Sequence, residues 1–392
     1  MSDRQSDGWL IGYCTNVHAG SHLQETKDNL LRYAVNVYKQ RQQSTPLPIG
    51  LWLSAQSLGE LNSEAARADF AQWLCSNELN AYTINGFPYF DFHESVVKHR
   101  VYTPDWSCPE RAKFTRDLAD LLATILPPGA EGSISTLPIA WGSLKDNQPK
   151  LHVAYEQLID TSHYLAKLAE RTGRIIHIDL EPEPGCVLSQ SSDVANIFEQ
   201  LYARGDRDII FRHIRVCHDI CHAAVMFEDP LQPFAQYAAA DAQVGKIQVS
   251  SALAWRLDEL CPPDRLLARQ QLELYAEPRY LHQTLIRRSP NGHVDFYEDL
   301  PDALSQLNDD ASRHDEWRVH FHVPIHLKTI GGLGTTQDHI ESVTQMIKEC
   351  DLICPIEIET YAWNVLPDHQ SDDDLIRGIT CELNWFEDLI NA

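Results

Sequence analysis

The ten residues VCHDICHAAV, 216 to 225, hold an aspartate, two histidines and two cysteines. An apolar run leads into them and small residues follow. Asp219 and His222 stand three apart where a buried strand is expected to stop and a helix to begin. At that spacing both side chains reach one point, so they could share a metal ion or one could orient the other. Cys217 and Cys221 sit among small apolar neighbours and are expected to pack rather than ligate.

Other strand ends carry similar chemistry. RIIHIDLEPEP places Asp179, Glu181 and Glu183 at a spacing of two, and PIEIET does the same with Glu357 and Glu359. On a strand that period puts each set on one face. Carboxylates turned into a packed interior are costly unless paired or metal-bound. Converging on one point, they repel and raise one another's pKa. A divalent cation resolves the conflict. The donors are carboxylate and imidazole with no clustered thiolates, which suits Mn²⁺, Zn²⁺, Co²⁺ or Mg²⁺. Asn16, His18, Asn85 and Gln248 end or line further runs, and HFHVPIH contributes His320, His322 and His326.

Structural roles compete for each of these residues. Asp219 could cap a helix with His222 hydrogen-bonded beside it. Glu181 and Glu359 could form internal salt bridges, and Gln248 could be a satisfied core amide. His177 and His213 read as structural, and Cys14 and Cys75 as core. GGLGTTQDH, 331 to 339, reads as a loop whose Thr335 and Thr336 cap the next helix, an end that can also hold an anion. There is no P-loop, CxxC pair or GxSxG elbow.

These residues need a scaffold. Eight short β-branched runs, at 10–17, 48–54, 79–86, 132–139, 174–181, 214–219, 246–252 and 355–362, alternate with amphipathic stretches. EAARADFAQWLCSNE and HVAYEQLIDTSHYLAKLAERTG are two such helices, the second ending on a C-cap glycine. Repeated strand–helix alternation predicts a parallel sheet. Eight units predict a closed (β/α)₈ TIM barrel, with the site at the C-terminal ends of its strands. The first turn, TNVHAGSHL, lacks the GxGxxG of an open doubly wound sheet. The chain reads as one domain over 1–392. Within it lie an aromatic loop at 87–111 after the third strand and an insertion at 254–317 after the seventh, with a hairpin around RRSPNGHVDF. A ninth strand-like run follows at 318–327. Phe87, Tyr89, Phe90, His93, Tyr102 and Trp106 are expected to close over a substrate.

The net charge of −24 opposes nucleic-acid binding, which draws on a basic face. No run approaches the roughly 20 apolar residues of a membrane helix. The N-terminus lacks a signal-peptide pattern, and the ten scattered cysteines are expected to be reduced. The expected location is the cytoplasm. The sequence leaves the oligomeric state open.

LEPEPGC, DICHAAV and EIETYAW resemble the xylose isomerase-like TIM-barrel superfamily of sugar isomerases, epimerases and endonuclease IV-type enzymes. The resemblance implies one to three divalent metals, held by Glu181, Asp219, His222 and Glu359, with Glu181 and Glu359 also moving a proton. The superfamily's strand-seven histidine is replaced by Gln248, and His322 or His326 could take its role. GYCTNVHAG, NGFPYFDFH, VYTPDW, QVSSAL, VHFHVPI and IEIETYAWNVLP further resemble the EboE family of the ebo gene cluster. That likeness implies processing or traffic of secondary-metabolite precursors of the terpenoid or scytonemin type, with partners from the same cluster. The sequence thus predicts a metal-dependent, isomerase- or epimerase-like protein acting on a small metabolite. Asn16, His18, Asn85, Phe87, His93, Trp106 and His326 are its expected substrate contacts. Two alternatives are a metabolite carrier on a degenerate isomerase fold and an endonuclease IV-like phosphodiesterase.

Overall fold

The computed structural model describes residues 8–257, 262–288, 292–306, 315–366 and 371–392. Residues 1–7, 258–261, 289–291, 307–314 and 367–370 lie outside them. Seven strands lead to the insertion: β1 Ile11–Cys14, β2 Leu47–Trp52, β3 Leu79–Asn85, β4 Glu131–Thr136, β5 Ile175–Leu180, β6 Ile214–Asp219 and β7 Val244–Val249. Six more follow: β8 Ser251–Arg256, β9 Thr284–Arg287, β10 Val294–Tyr297, β11 Glu316–Val323, β12 Thr329–Ile330 and β13 Leu333–Thr335. The last is β14, Ile356–Ile358.

β1 to β7 and β14 form a closed parallel barrel in which β14 closes the ring between β7 and β1. The helices between strands start and stop on local chemistry. Ser143 caps helix Leu144–Thr172 by accepting from the Asp146 N–H, and Gly173 ends it at φ 68°, a conformation that favours glycine. Gln190 and Asp193 form a reciprocal capping box on helix Ser191–Arg204. No helix among the described residues is long and apolar enough to cross a membrane. The nine cysteines among them are all unpaired. Cys14 is buried as expected, but Cys75 is exposed, because it points off the outer side of helix Glu64–Ser76.

The insertion differs from expectation in its limits and its form. The run KIQVSSA is not one strand. β7 stops at Val249, and Ser251 begins β8, which belongs to a second sheet of six strands in the order β10-β9-β11-β8-β13-β12. The break falls where Ser250 turns its hydroxyl to Asp219 Oδ1 at 2.7 Å. The ninth run is likewise no addition to the barrel. It is β11, antiparallel between β8 and β9 at the centre of the second sheet. The hairpin forms as β9 against β10.

The second sheet packs its own core of Trp255, Trp317, Ile286, Tyr275 and Phe321, which continues into Trp52, Phe92, Val97 and Tyr361 at the ends of barrel strands and in the loop after β3. The sheet therefore lies over the C-terminal mouth. Its ladder with β8 is irregular between Val319 and Val323. Such a break re-aims side chains, and here it frees His320 and His322 to face the barrel.

Candidate metal centre

Below the mouth the barrel interior is charged rather than apolar. Lys246 of β7 pairs with Glu357 of β14, both fully buried, and its ammonium lies 3.2 Å from Ser135 Oγ. Burial disfavours the Lys246 charge, but Glu357 more than offsets this and holds it protonated. Asp179 accepts from Ser133 Oγ and meets His177 Nδ1 at 2.6 Å. Two glycines make the room. A Cβ on Gly50 would fall 1.2 Å from Glu357 Oε1, and one on Gly245 would fall 2.1 Å from Asp179 Oδ1.

One layer up, Glu181, Asp219 and Glu359 bring carboxylate oxygens within 4.8 Å of one another. Asp219 serves two ends at once. Its Oδ1 accepts from the His222 N–H at 2.8 Å and caps helix Ile220–Val225, while its Oδ2 is buried with no partner. The capping role and the site role are thus two oxygens of one side chain. Glu181 Oε2 and Glu183 Oε2 are also buried without partners. Glu359 is fully engaged: Asn16 and Asn85 donate to Oε1 at 2.6 and 2.9 Å, and Gln248 donates to Oε2. Gln248 in turn accepts from Cys217 Sγ at 2.8 Å, so its amide is occupied at both ends. Burial, then the neighbouring Glu359 and Asp219, push Glu181 far above the usual carboxylate range, and burial and Asp219 push Glu359 up to about 8.

Three imidazoles complete the floor. His222 Nδ1 donates to the Pro182 carbonyl at 2.9 Å, and His322 Nδ1 to the Glu359 carbonyl at 2.9 Å. His320 Nδ1 donates to Gln283 Oε1 at 2.7 Å, and the Gln283 amide is fixed that way because its nitrogen donates to Tyr102, Glu183 and the Pro184 carbonyl. Each ring therefore carries its proton on Nδ1 and a lone pair on Nε2. The Nε2 atoms of His222 and His320 lie 3.2 Å apart, as do those of His320 and His322. Burial lowers His222 to about 3 and His322 to about 4, and holds His320 well below its ordinary value. At neutral pH three imidazole lone pairs face one another beside carboxyl groups that burial and mutual repulsion hold protonated above their usual range. A bound cation would satisfy the lone pairs and let the carboxyls ionise.

The structure brings most of the expected residues together, though not all. Asn16, Asn85 and Phe87 line the pocket above this floor, with Glu181, His222, His322 and Glu359. His93 stands behind the wall and holds the Asn16 carbonyl at 2.7 Å. His18 faces away to Tyr13 and stacks on Tyr33. Trp106 is fully buried in the core under the aromatic loop, and His326 lies beyond the end of β11 outside the pocket. Thr336 does not cap helix Gln337–Glu349 with its side chain, because that hydroxyl accepts from the Ala252 N–H of β8. His177 and His213 are buried in structural contacts.

The pocket holds about 530 Å³, counting the part open to solvent. An eight-stranded closed barrel, roofed by an accessory sheet and floored by carboxylates and imidazoles, narrows the comparison. Over 100% of this chain and 98% of the other it is similar to a xylose isomerase-like TIM-barrel protein from Mycobacterium smegmatis, solved in complex with magnesium, at 10% identity and a TM-score of 0.53. The fold is that of the xylose isomerase-like TIM barrels. A xylose isomerase domain protein from Alicyclobacillus acidocaldarius aligns over 98% of this chain and 100% of its own at 9% identity and a TM-score of 0.49. An IOLI protein with a bound zinc atom aligns over 97% and 98% at 10% identity and 0.48. At these identities the likeness is one of fold. No family model and no curated protein matches the chain, so the EboE likeness rests on sequence motifs alone.

Sequence reasoning gave His320 no firm role and missed Gln283, Tyr361 and Phe92. His320 and Tyr361 each stand two residues from a predicted ligand, a spacing that puts them on the same side of the chain. Gln283 lies in the insertion with no local signal.

Proposed function

We propose that this chain is a metal-dependent enzyme of the isomerase or epimerase type, a single domain that moves a proton beside a carbonyl of a small metabolite. The observation that carries the reading is the set of three inward-facing Nε2 lone pairs beside partnerless oxygens of Glu181 and Asp219. Glu181, Asp219, Glu359, His222 and His322 would hold the ion, with His320 alongside. Imidazole nitrogens in the set favour Zn²⁺, Mn²⁺ or Co²⁺ over Mg²⁺, which takes oxygen ligands. When bound, the ion supplies Lewis acidity to a substrate carbonyl. The chain's own residues do the rest. Glu181, held protonated by burial and its acidic neighbours, is the group that would exchange the proton once a bound cation favours its ionised form. Asn16, Asn85 and Gln248 fix the Glu359 carboxylate, and the aromatic loop excludes water. By the EboE likeness, the metabolite belongs to secondary-metabolite processing or traffic, with partners from the same gene cluster.

The test is elemental mass spectrometry on protein purified without chelator or affinity nickel. We expect one or more ions per chain, lost in Glu181→Gln and in His222→Ala. Protein that stays metal-free after incubation with Mn²⁺ and Zn²⁺ would refute the reading.

One observation favours a second reading, a non-catalytic metabolite carrier. Glu359 has both oxygens filled by amides, which suits a fixed polar wall better than a base. Under that reading Glu181→Gln leaves ligand affinity unchanged. The phosphodiesterase reading finds no footing, since the sole Lys or Arg lining the pocket among the described residues is Lys98, and it is paired with Asp299.

A further inference from the structure

The floor and the wall of the pocket differ sharply in chemistry. On the floor, the atoms without partners are Asn16 Oδ1, Glu181 Oε2, Glu183 Oε2 and Asp219 Oδ2, all oxygens. They call for a cation and for a ligand that brings its own hydroxyl protons. Beyond the Tyr361 hydroxyl, the wall above has little that is polar to offer. Phe87, Phe92, Val97, Tyr280, Leu281 and Tyr361 form it, all buried. The Tyr280 hydroxyl is spent on the Phe92 carbonyl at 3.2 Å. The Tyr102 hydroxyl donates to Glu183 at 2.7 Å and accepts from Gln283. Lys98 is tied to Asp299.

The wall is also rigid. Phe92, Tyr280 and Tyr361 meet in three mutual ring contacts with centroids 4.9, 5.2 and 5.1 Å apart, and Tyr361 leans on His322 at 4.6 Å. Offset and edge contacts of this kind hold rings in place.

A polyol bound here would bury several hydroxyls against rings that offer the Tyr361 hydroxyl alone, and each further buried hydroxyl without a partner is penalised. A phosphate carried on the body would meet no free cation in that wall. A flat apolar body meets neither cost.

We propose that the pocket takes a ligand with one pair of adjacent oxygens at its head and an aromatic or branched-alkyl body, and that it rejects open polyols and phosphorylated sugars. This rests on the metal-dependent reading for the head and on the wall alone for the body.

Three probes share a hydroxymethyl-ketone head and differ only in the body: 2-hydroxyacetophenone, xylulose and dihydroxyacetone phosphate. Each is titrated calorimetrically into metal-replete protein and into protein treated with chelator. In metal-replete protein, 2-hydroxyacetophenone should bind about tenfold or more tightly than either competitor, as expected for desolvating one phenyl ring. Phe92→Ala should narrow that gap to about threefold with metal content unchanged. Val101→Asn, on a half-buried part of the same wall, should narrow it too without threatening the fold. Equal or tighter binding of xylulose or the phosphate, or no binding of any probe to metal-replete protein, overturns the proposal and leaves the metal reading standing. Absence of metal with an aromatic preference that persists overturns the metal reading and the head, and leaves the body preference standing.

Discussion

Lys246→Met is the substitution that most directly probes how the site's charges are balanced. Lys246 and Glu357 have no exposed surface, and Glu357 has no other hydrogen-bond partner. Methionine keeps most of the stem's volume and removes the ammonium. Glu357 is then a buried carboxylate without a countercharge, and breaking such a pair costs about 3–5 kcal/mol. Replacing both ends in Lys246→Met/Glu357→Leu removes the stranded charge and should recover most of that loss, since apolar replacement of a buried pair is often neutral. The measurement is the urea midpoint and slope of each variant in chelator, so that bound metal does not contribute. The effect should also reach the site. Lys246 opposes the upward push on Glu181 and Glu359, so its loss leaves both more protonated and weakens metal binding at neutral pH. A single variant that loses under about 1 kcal/mol, or a double variant as unstable as the single, would refute the argument that Lys246 is the countercharge of this interior.

Metal-free protein should be most stable near neutral pH. Burial raises Glu183 and Glu382 to about 7, and burial with Asp219 raises Glu359 to about 8. The folded chain holds these protons where the unfolded chain has released them, so their contribution is lost as pH rises through that range. Burial lowers His222 to about 3 and His322 to about 4, so the unfolded chain takes up protons first below roughly pH 6.5 and stability falls there too. Urea midpoints that climb steadily from pH 6 to 9 in chelator would contradict this. Gly50→Ala should lower the melting temperature by an amount corresponding to about 1–3 kcal/mol or more, because its methyl overlaps Glu357; an unchanged melt would show that the carboxylate can move aside. Gln283→Leu removes the acceptor that fixes the His320 tautomer at 2.7 Å and should weaken metal affinity roughly 10–100-fold in a chelator competition.

The barrel was largely legible because its signal is local. Each barrel strand is a short β-branched run, and the 214–219 run was placed with its observed ends. Inward carboxylates were legible because period two puts Glu181 and Glu359 on faces that a closed barrel must turn inward. The second sheet was not, because its order depends on pairing between distant segments. Nothing in KIQVSSA announces that Ser250 ends one sheet and Ser251 starts another. His18 and Trp106 were misplaced for a related reason. A polar or aromatic residue after a strand can turn to the mouth or back into the core, and only packing against Tyr33 or the loop decides which.

The position of β14 bears on how the protein is made. Among the described residues it is the strand that joins β1 to β7, and it follows every strand of the second sheet in the chain. During synthesis the first seven barrel strands emerge with β1 and β7 as open edges, and they stay open until β14 has left the ribosome. Glu359 arrives at that same moment, more than 130 residues after His222. No shorter nascent chain carries the whole site, and a ribosome that stalls in the insertion leaves two unpaired parallel edges, which are templates for aggregation.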